Sequence, residues 1–393
     1  MRLPRIVGAV VVGGALVGAQ VPISAAASST LTIGVDHQDF ANQRPDQGRL
    51  FEYTDFFSRS VKVHQGDTLD FNFQGFHDIA ITKSEALAQS QQPLATPDGD
   101  DSPSVATGKP KISVNPVVFA FGSGCGWTTA CDYTGGNDLK ISGPPPGNPP
   151  ADWRVTINAG PGTYTYFCYI HPGMRGKVKV VEADEATTSQ AQNDAVSQEQ
   201  FLKDQAQAVR AEQTADVVRF TGGEPGDRTY FVKVGISAAD NHVAIDEMFP
   251  NGVNDPSKQL NLVAGDRVAY SWPDGHNAHS VTFPPDAVQP FGFDCDAGYV
   301  TPPPGPPGPP PCNETGEPPE LIVDPGNAPA GTELTAPATV VDAGVHLGKD
   351  FGLPTSTHWA VTTGDATTSG SYAFNCNIHD FMRGTINVVV GSE

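Results

Sequence analysis

Basic side chains are scarce in this chain. Its 393 residues include 23 Lys and Arg against 44 Asp and Glu, which gives a formal net charge of −21 at pH 7. Nucleic acids and anionic membranes attract clustered positive charge, so an excess of carboxylates argues against both as partners. The composition is typical of a solvated extracellular protein or of one that meets a basic partner, and solubility alone explains it equally well.

Long hydrophobic runs are missing beyond the N-terminus. Residues 1–27 carry Arg2 and Arg5, then an apolar run, then small residues around Ala25–Ala27, the layout of a secretory signal peptide. An uncleaved membrane anchor is the alternative interpretation. No Cys follows the run to carry a lipid, and no later segment is long and apolar enough to span a bilayer. We therefore expect a secreted or extracytoplasmic protein, in the periplasm or at the cell surface, that is not integral to the membrane after signal cleavage.

Cysteine is also sparse, with six in the chain. There is no C-x-x-C-H motif for haem attachment and too few cysteines for an iron–sulfur cluster. In an oxidising compartment disulfides persist, and four of the six form two locally spaced pairs, although four cysteines allow three pairings. The disulfide candidates are Cys125, Cys131, Cys295 and Cys312. Cys168 and Cys376 are left as free thiols.

Glycine and proline, by contrast, are abundant, with 42 and 36 copies, while only 17% of residues are charged. Together with many Val, Thr and Phe runs, this composition predicts an all-β protein with long turns. The length allows two or three domains, each with its own core.

The chain repeats one plan in two halves. The runs "SVKVHQGDTLDFNF" and "QLNLVAGDRVAYSW" both read as strand, Gly-Asp turn, strand. Next come "FHDIAI" and "AHSVTF", in which a His precedes apolar residues at every second position. Each half closes on a Cys-x-x-His-x-x-Met motif, in "GTYTYFCYIHPGMRGKVKVV" and "GSYAFNCNIHDFMRGTINVV". We predict domains over 28–183 and 216–393.

Residues 184–215, between the two halves, have a different composition. They are rich in Ala, Gln and Glu, without Gly or Pro, which favours helix. The apolar residues are too sparse for a deep core and predict one thin stripe resting on a domain: Val196, Phe201, Leu202 and Val209. A flexible, partly disordered linker is the alternative.

Each half also contains a long Pro/Gly-rich insertion between its first His and its Cys-x-x-His-x-x-Met motif, which we call the excursion. It includes "SGPPPGNPPADW" in the first half and "TPPPGPPGPPPC" in the second. Such segments are stiff and extended rather than packed. The cysteine pairs lie inside or beside them, so we expect disulfides to pin them down.

The repeated set has the chemistry of a metal site. Two imidazoles, one thiolate and a thioether are the ligands expected of a trigonal copper site with a weak axial Met, acceptable to both Cu(I) and Cu(II). Zinc fits less well, because it prefers a harder fourth ligand or a water. The candidate ligands are His77, Cys168, His171 and Met174 in the first half and His279, Cys376, His379 and Met382 in the second.

Both halves resemble cupredoxins, the blue copper proteins, and "YFCYIHPGMRGKVKVVE" is similar to the ligand loop of the amicyanin, plastocyanin and pseudoazurin type. The resemblance implies two tandem Greek-key β-sandwiches, one type 1 copper at each set of four, and electron transfer. In the second half His276 competes with His279. The strand pattern after His279 matches that after His77, so we prefer His279.

The resemblance has departures beside the first His of each set. Cupredoxins usually carry Asn there, where it braces the Cys loop, whereas this chain has Asp78 and Ser280. Asn377 follows the second Cys, so Ser280 and Asn377 are expected to form the brace with exchanged roles. A carboxylate near copper favours Cu(II), so Asp78 predicts a lower potential for the first site.

These features favour an electron carrier over a catalyst, and no catalytic residue is assigned. Electrons are expected to pass through exposed edges of His171 and His379, beside a docking patch of Pro172 and Phe381 for redox partner proteins. A copper nitrite reductase or multicopper oxidase would need further copper, but the chain has no His-x-His or His-Cys-His motif. Six remaining histidines are expected at the surface: His37, His64, His242, His276, His346 and His358. Copper storage or delivery is a further alternative.

Overall fold

The structure is a computed structural model, and it consists mainly of β-strands. It describes residues 28–37, 51–97, 112–119, 122, 124–147, 149–253, 255–295, 298–300, 320–352, 357–379 and 381–390. The predicted signal peptide and Cys312 lie outside these residues, so the Cys295–Cys312 pairing stays a prediction.

The first half forms a sandwich of two five-stranded sheets. Alternating residues point inward, as in β5 (Thr68–Phe73), where every second side chain is buried. Parallel pairing joins β1 (Thr30–Val35) to β5 and β4 (Ser60–His64) to β13 (Arg175–Val181), strands that are distant in sequence, which is the Greek-key pattern. In the first sheet the strands lie in the order β3 (Phe56–Phe57), β1 (Thr30–Val35), β5 (Thr68–Phe73), β11 (Ala151–Ile157) and β9 (Cys131–Tyr133). In the second they lie in the order β10 (Lys140–Ile141), β6 (Ala80–Thr82), β12 (Gly162–Phe167), β13 (Arg175–Val181) and β4 (Ser60–His64).

The second half forms another sandwich with the same crossings. Its first sheet contains β2 (Phe51–Glu52), β16 (Val243–Phe249), β15 (Thr229–Ala238), β18 (Arg267–Ser271), β27 (His358–Thr362) and β24 (Thr332–Glu333), with β14 (Phe220–Thr221) on β15. The second contains β17 (Leu260–Val263), β29 (Arg383–Val389), β28 (Gly370–Asn375), β20 (Thr282–Phe283) and β25 (Val341–Asp342). A two-stranded ribbon joins β19 (Ala278–His279) to β26 (His346–Leu347).

Corresponding aromatic groups fill the two cores. In the first, Phe71 lies opposite Trp153 in the strand register, with ring centroids 5.7 Å apart, and 5.3 Å from Tyr166. In the second, Tyr270 lies opposite Trp359 at the same 5.7 Å, and 5.5 Å from Phe374. The two halves of the chain therefore fold as two similar β-sandwiches joined by a helix.

The halves also exchange segments. Strand β2, from the first half of the sequence, pairs with β16 of the second sandwich. The two excursions meet in one sheet, through a pairing of Ser113 with Ile322. This sheet runs β22 (Gly298–Val300), β21 (Phe291–Cys295), β23 (Glu320–Val323), β8 (Ile112–Val114), β7 (Ala95–Pro97). Because the halves are interlocked, the domain boundaries at 28–183 and 216–393 stay predictions.

The first excursion is also tied to its own sandwich. The predicted disulfide joins Cys125 to Cys131, with Cα atoms 5.5 Å apart. The Trp153 indole donates to the Cys125 carbonyl, so this loop lies against the core. Among the described residues, the short helix α1 (Glu85–Gln91) precedes the excursion and α2 (Pro116–Phe119) lies within it, while 3₁₀ turns occur at Pro256–Lys258 and Lys349–Phe351.

The connector is a helix, α3 (Gln190–Ala215). It begins at Ser189, which exchanges hydrogen bonds with Gln192 in a capping box. Phe201 is the predicted stripe residue that becomes buried, whereas Val196, Leu202 and Val209 stay exposed. Small and polar side chains complete the buried face: Asn193, Asp204, Ala208, Glu212 and Ala215. The helix packs against strands of both sandwiches, so the flexible-linker alternative was wrong.

Replacing Arg59 with Ala is expected to loosen this helix. Arg59 pairs with Asp55 and lies 2.7 Å from Asp204, and both carboxylates are almost fully buried. Burial already raises the pKa of Asp55 to about 7, even though Arg59 lowers it. Removing the cation leaves two buried carboxylates, and because Arg59 is itself partly exposed we expect a loss of about 2–4 kcal/mol in the free energy of unfolding. Chemical denaturation measures this. Arg154→Ala on β11 is the control, and equal effects of the two changes would contradict the prediction.

No helix among the described residues is long and apolar enough to cross a membrane.

Candidate metal centres

The first predicted set comes together at one end of the first sandwich. His77 lies in the loop between β5 and β6, Cys168 follows β12 directly, and Met174 precedes β13. The Nδ1 atoms of His77 and His171 are 2.9 Å apart, and the Cys168 Sγ lies 3.9 and 3.5 Å from them. All four side chains are at most 4% exposed. Three donor atoms therefore converge where one ion can contact them all.

The second set repeats this arrangement. His279 ends β19, Cys376 follows β28, and Met382 precedes β29. The Nδ1 atoms of His279 and His379 are 3.3 Å apart, and the Cys376 Sγ lies 3.9 Å from the latter. His279 is fully buried and His379 is half-buried. The two clusters thus present the same donors through the same ring nitrogens.

A shared backbone turn explains the three-residue spacing. In the first loop the Cys168 N–H donates to the Met174 carbonyl, and the Met174 N–H donates to the His171 carbonyl. The second loop has the same two bonds, between Cys376 and Met382 and between Met382 and His379. A Gly follows each Met-Arg pair, at Gly176 and Gly384, and sits opposite an aromatic ring whose space a Cβ would occupy. The spacing therefore closes a compact loop at the end of a hairpin.

The structure places His279, and not His276, beside Cys376. His276 is buried elsewhere, with its Nδ1 against the Pro172 carbonyl and 3.2 Å from Asp350. Room for the His279 ring comes from Gly235, which has φ +69° at a bulge in β15 and whose Cβ would overlap the ring.

Asp78, the residue after His77, braces the first loop although it is not the Asn usual in cupredoxins. Its Oδ1 accepts the backbone N–H groups of Tyr169 at 2.8 Å and Ile170 at 3.3 Å, and it lies 3.3 Å from the Cys168 Sγ. Burial raises the pKa of Asp78 to about 6, although these hydrogen bonds lower it. The brace therefore places a carboxyl group directly beside the thiol.

Ser280 braces the second loop differently. Its Oγ accepts the Asn377 backbone N–H at 2.7 Å, and its own N–H points at the Cys376 Sγ at 3.3 Å. The Asn377 side chain donates to Thr282 at 2.6 Å and not to Ser280. The predicted contact between Ser280 and Asn377 is present, but the roles are not exchanged, because the Ser280 side chain accepts from the Asn377 backbone just as Asp78 accepts from Tyr169. No carboxylate contacts this thiol among the described residues.

The two thiols have opposite pKa shifts. Burial, together with the neighbouring Asp78, raises the pKa of Cys168 well above its usual value. Burial also acts to raise that of Cys376, but hydrogen bonds and charges of His279 and His379 hold it well below its usual value. The first loop is therefore the less favourable place for a thiolate, in line with the change from Ser280 to Asp78.

The two clusters face one another across the junction of the halves. Glu52 Oε1 lies 3.6 Å from His171 Nε2 and 3.7 Å from His77 Nε2. Asp246 occupies the equivalent place in the second half, 3.8 Å from His279 Nε2 and beside His379. Buried carboxylates thus line the ring edges that point away from the converging donor atoms.

A cavity of about 390 Å³ opens at the same junction. Its walls are mainly apolar, and both His171 and His379 reach it. The prediction of exposed imidazole edges was wrong for His171, which is 4% exposed. Pro172 and Phe381 are half-buried at this junction, against His276 and in the cavity wall, and the docking patch stays a prediction.

Of the six remaining histidines, two are buried and not at the surface as predicted. His276 is described above, and His346 lies opposite His279 in the strand register and stacks on Trp272 at 3.5 Å. Sequence reasoning missed the acidic residues of the junction, since Glu52 stands in a stretch without a recognisable motif. They are Asp36, Glu52, Asp246 and Asp274.

Copper fits both clusters. A cysteine sulfur and two imidazole nitrogens converge in each, a Met is buried beside them, and this soft, water-excluded donor set suits copper better than harder cations. The other groups of potential ligands among the described residues combine carboxylates with a histidine of one of these clusters.

No protein family model matches the chain, and no curated protein matches it significantly. Among solved structures, it is similar to auracyanin from Roseiflexus castenholzii at 18% identity, over 39% of this chain and 98% of that one, with a TM-score of 0.22. It is also similar to auracyanin A from Chloroflexus aurantiacus at 16% identity, over 39% and 98%, with a TM-score of 0.16. A copper-containing nitrite reductase from Thermus scotoductus SA-01 matches at 10% identity over 92% and 62%, with a TM-score of 0.18. Likeness at this level leaves the function to the residues of the site itself.

Proposed function

We propose that the chain is an exported two-copper protein that transfers electrons. The first type 1 copper would be held by His77, Cys168, His171 and Met174. The second would be held by His279, Cys376, His379 and Met382. The observation that carries this proposal is the duplicated cluster, in which the same donors converge on the same backbone turn. When bound, copper supplies a one-electron couple between Cu(I) and Cu(II) in a site that suits both states.

The residues of the chain contribute rigidity to this function. Asp78 and Ser280 tie each Cys loop to the segment that carries the opposite His, and burial keeps water out of both clusters. A cage fixed in this way needs little rearrangement when its charge changes. The facing rings of His171 and His379 favour electron exchange between the two halves, with redox partner proteins delivering or removing electrons elsewhere on the surface.

A copper-dependent oxidoreductase of the nitrite reductase or multicopper oxidase kind is the second candidate. The junction cavity favours it, because a small substrate of suitable shape would meet His171 and His379 there. Copper storage or delivery ranks lower, since the two thiols are at most 2% exposed and handover needs an open site.

Metal analysis of the mature chain separates these functions. For the carrier we expect about two coppers per chain, intense visible absorption and only the narrow hyperfine splitting of type 1 copper in electron spin resonance. A type 2 signal with turnover of nitrite or oxygen would favour the oxidoreductase. Colourless protein with bound copper would contradict both type 1 sites.

A further inference from the structure

The junction between the clusters contains a carboxylate whose position is set by both halves. Glu52 belongs to β2, which the first half of the sequence adds to the sheet of the second sandwich by pairing with Ala244 and Ile245. Its neighbours Phe51 and Tyr53 are buried against that sheet and α3. Glu52 is therefore held by the second sandwich while its Oε1 faces rings of the first.

A continuous polar chain leads from Glu52 into the second cluster. The Asn277 side-chain amide donates to Glu52 Oε2 and to Asp246 Oδ1, each at 3.2 Å. The Asn277 Oδ1 accepts the Ala278 N–H at 2.8 Å, which fixes the orientation of the amide. Asp246 in turn lies beside His279 and His379, and a carboxylate oxygen of Glu52 itself lies within 4.8 Å of a ring nitrogen of His379. Three buried side chains thus span the distance between the two sets of rings.

If the proposed function holds, the contacts among Glu52, Asn277 and Asp246 orient the imidazole rings that bind the metal. An imidazole that holds a metal through Nδ1 keeps its proton on Nε2, so each ring becomes a donor aimed at the junction. The separations of 3.6–3.8 Å are longer than hydrogen bonds, and a small rotation of each ring on metal binding would bring them within hydrogen-bond distance. Asp36 lies 3.7 Å from His77 Nε2 and Asp274 lies 3.9 Å from His279 Nε2, so these rings have a second acceptor. Among the described carboxylates, Glu52 is the acceptor for His171.

We propose that Glu52 is a positioning residue shared by both centres, and that Asn277 and Asp246 transmit its effect from the first to the second. The inference rests on the proposed function, because it requires a metal on the Nδ1 atoms of both clusters. It predicts that one substitution at Glu52 changes the metal affinity of both centres, as expected when one connected network orients the ligands of both.

The test measures Cu(I) affinity at each site by competition with a chromophoric chelator. Cys376→Ser isolates the first site and Cys168→Ser isolates the second, and each background is compared with and without Glu52→Gln. We expect Glu52→Gln to weaken Cu(I) binding about 10–100-fold at the first site and about 3–10-fold at the second. Glu199→Gln, at an exposed position of α3, makes the same chemical change away from the junction and should alter neither affinity.

Asn277→Ala provides a second variant for the transmission step. With the amide removed, Glu52→Gln should still weaken the first site, but it should weaken the second site less than it does when Asn277 is intact, since only the direct approach of Glu52 to His379 then remains. Denaturation midpoints of every variant show whether the fold is retained. If Glu52→Gln changes neither site, or changes only the first while Asn277 is intact, the inference is overturned. If the Cys376→Ser and Cys168→Ser chains that keep Glu52 bind no Cu(I), the proposed function itself has failed, so the two failures are distinguishable.

Discussion

Replacing Cys168 with Ser is expected to lower the copper content from about two to about one per chain and to remove one of two visible chromophores. The thiolate is the strongest donor in the proposed set and the source of the intense colour, and a hydroxyl cannot replace it. Cys376→Ser should do the same for the second centre, and the double replacement should be colourless. Metal analysis and visible absorption measure all three results.

The matched control for this experiment is Cys125→Ser with Cys131→Ser, which removes the disulfide but no proposed ligand. It should lower stability, typically by about 2–4 kcal/mol, while both chromophores remain. Undiminished colour in the Cys168→Ser, Cys376→Ser double variant would contradict the proposed copper sites.

The two centres are expected to have different reduction potentials, the first being lower. Asp78 puts a carboxyl group 3.3 Å from the Cys168 Sγ, where Ser280 puts an uncharged group in the second centre. Negative charge beside copper stabilises Cu(II), and each tenfold change in the ratio of Cu(II) to Cu(I) affinity equals about 59 mV. Asp78→Asn should therefore raise the potential of the first centre by about 50–100 mV, and Ser280→Asp should lower that of the second.

Redox titration of the Cys168→Ser and Cys376→Ser variants, each of which keeps one proposed copper centre, assigns each midpoint potential to its centre. Asp138→Asn is the control, since Asp138 pairs with Lys140 away from both clusters. A single midpoint shared by both centres in the unsubstituted chain would exclude the predicted difference. So would an Asp78→Asn variant whose first-site potential matches that of the original chain.

The buried junction changes how electrons are expected to reach this protein. His171 points into the other half and not towards solvent, and His379 is half-buried. A partner that docks on the outer surface therefore does not contact the His171 ring. The proposed electron exchange between the halves follows from this arrangement, which no feature of either ligand loop predicts.

Much of the candidate site was predictable from sequence because its determinants are local. The Cys-x-x-His-x-x-Met spacing closes one turn at the end of a hairpin, and strand periodicity was sufficient to prefer His279 over His276. The six-residue spacing of Cys125 and Cys131 indicated their disulfide, and the composition of 184–215 indicated a helix. Each of these inferences depends on neighbours close along the chain.

The sequence by itself thus indicated the two sandwiches and the eight candidate ligands, and it singled out Asp78, Ser280 and Asn377 beside them. Only the tertiary structure decided that the clusters face each other, that Glu52 crosses to the second sandwich and that the excursions pair in one sheet. The physical reason is that these contacts join segments more than 190 residues apart, such as Glu52 with Ala244. Their pairing depends on the shapes and buried surfaces of two folded halves, and no local pattern of residues encodes it.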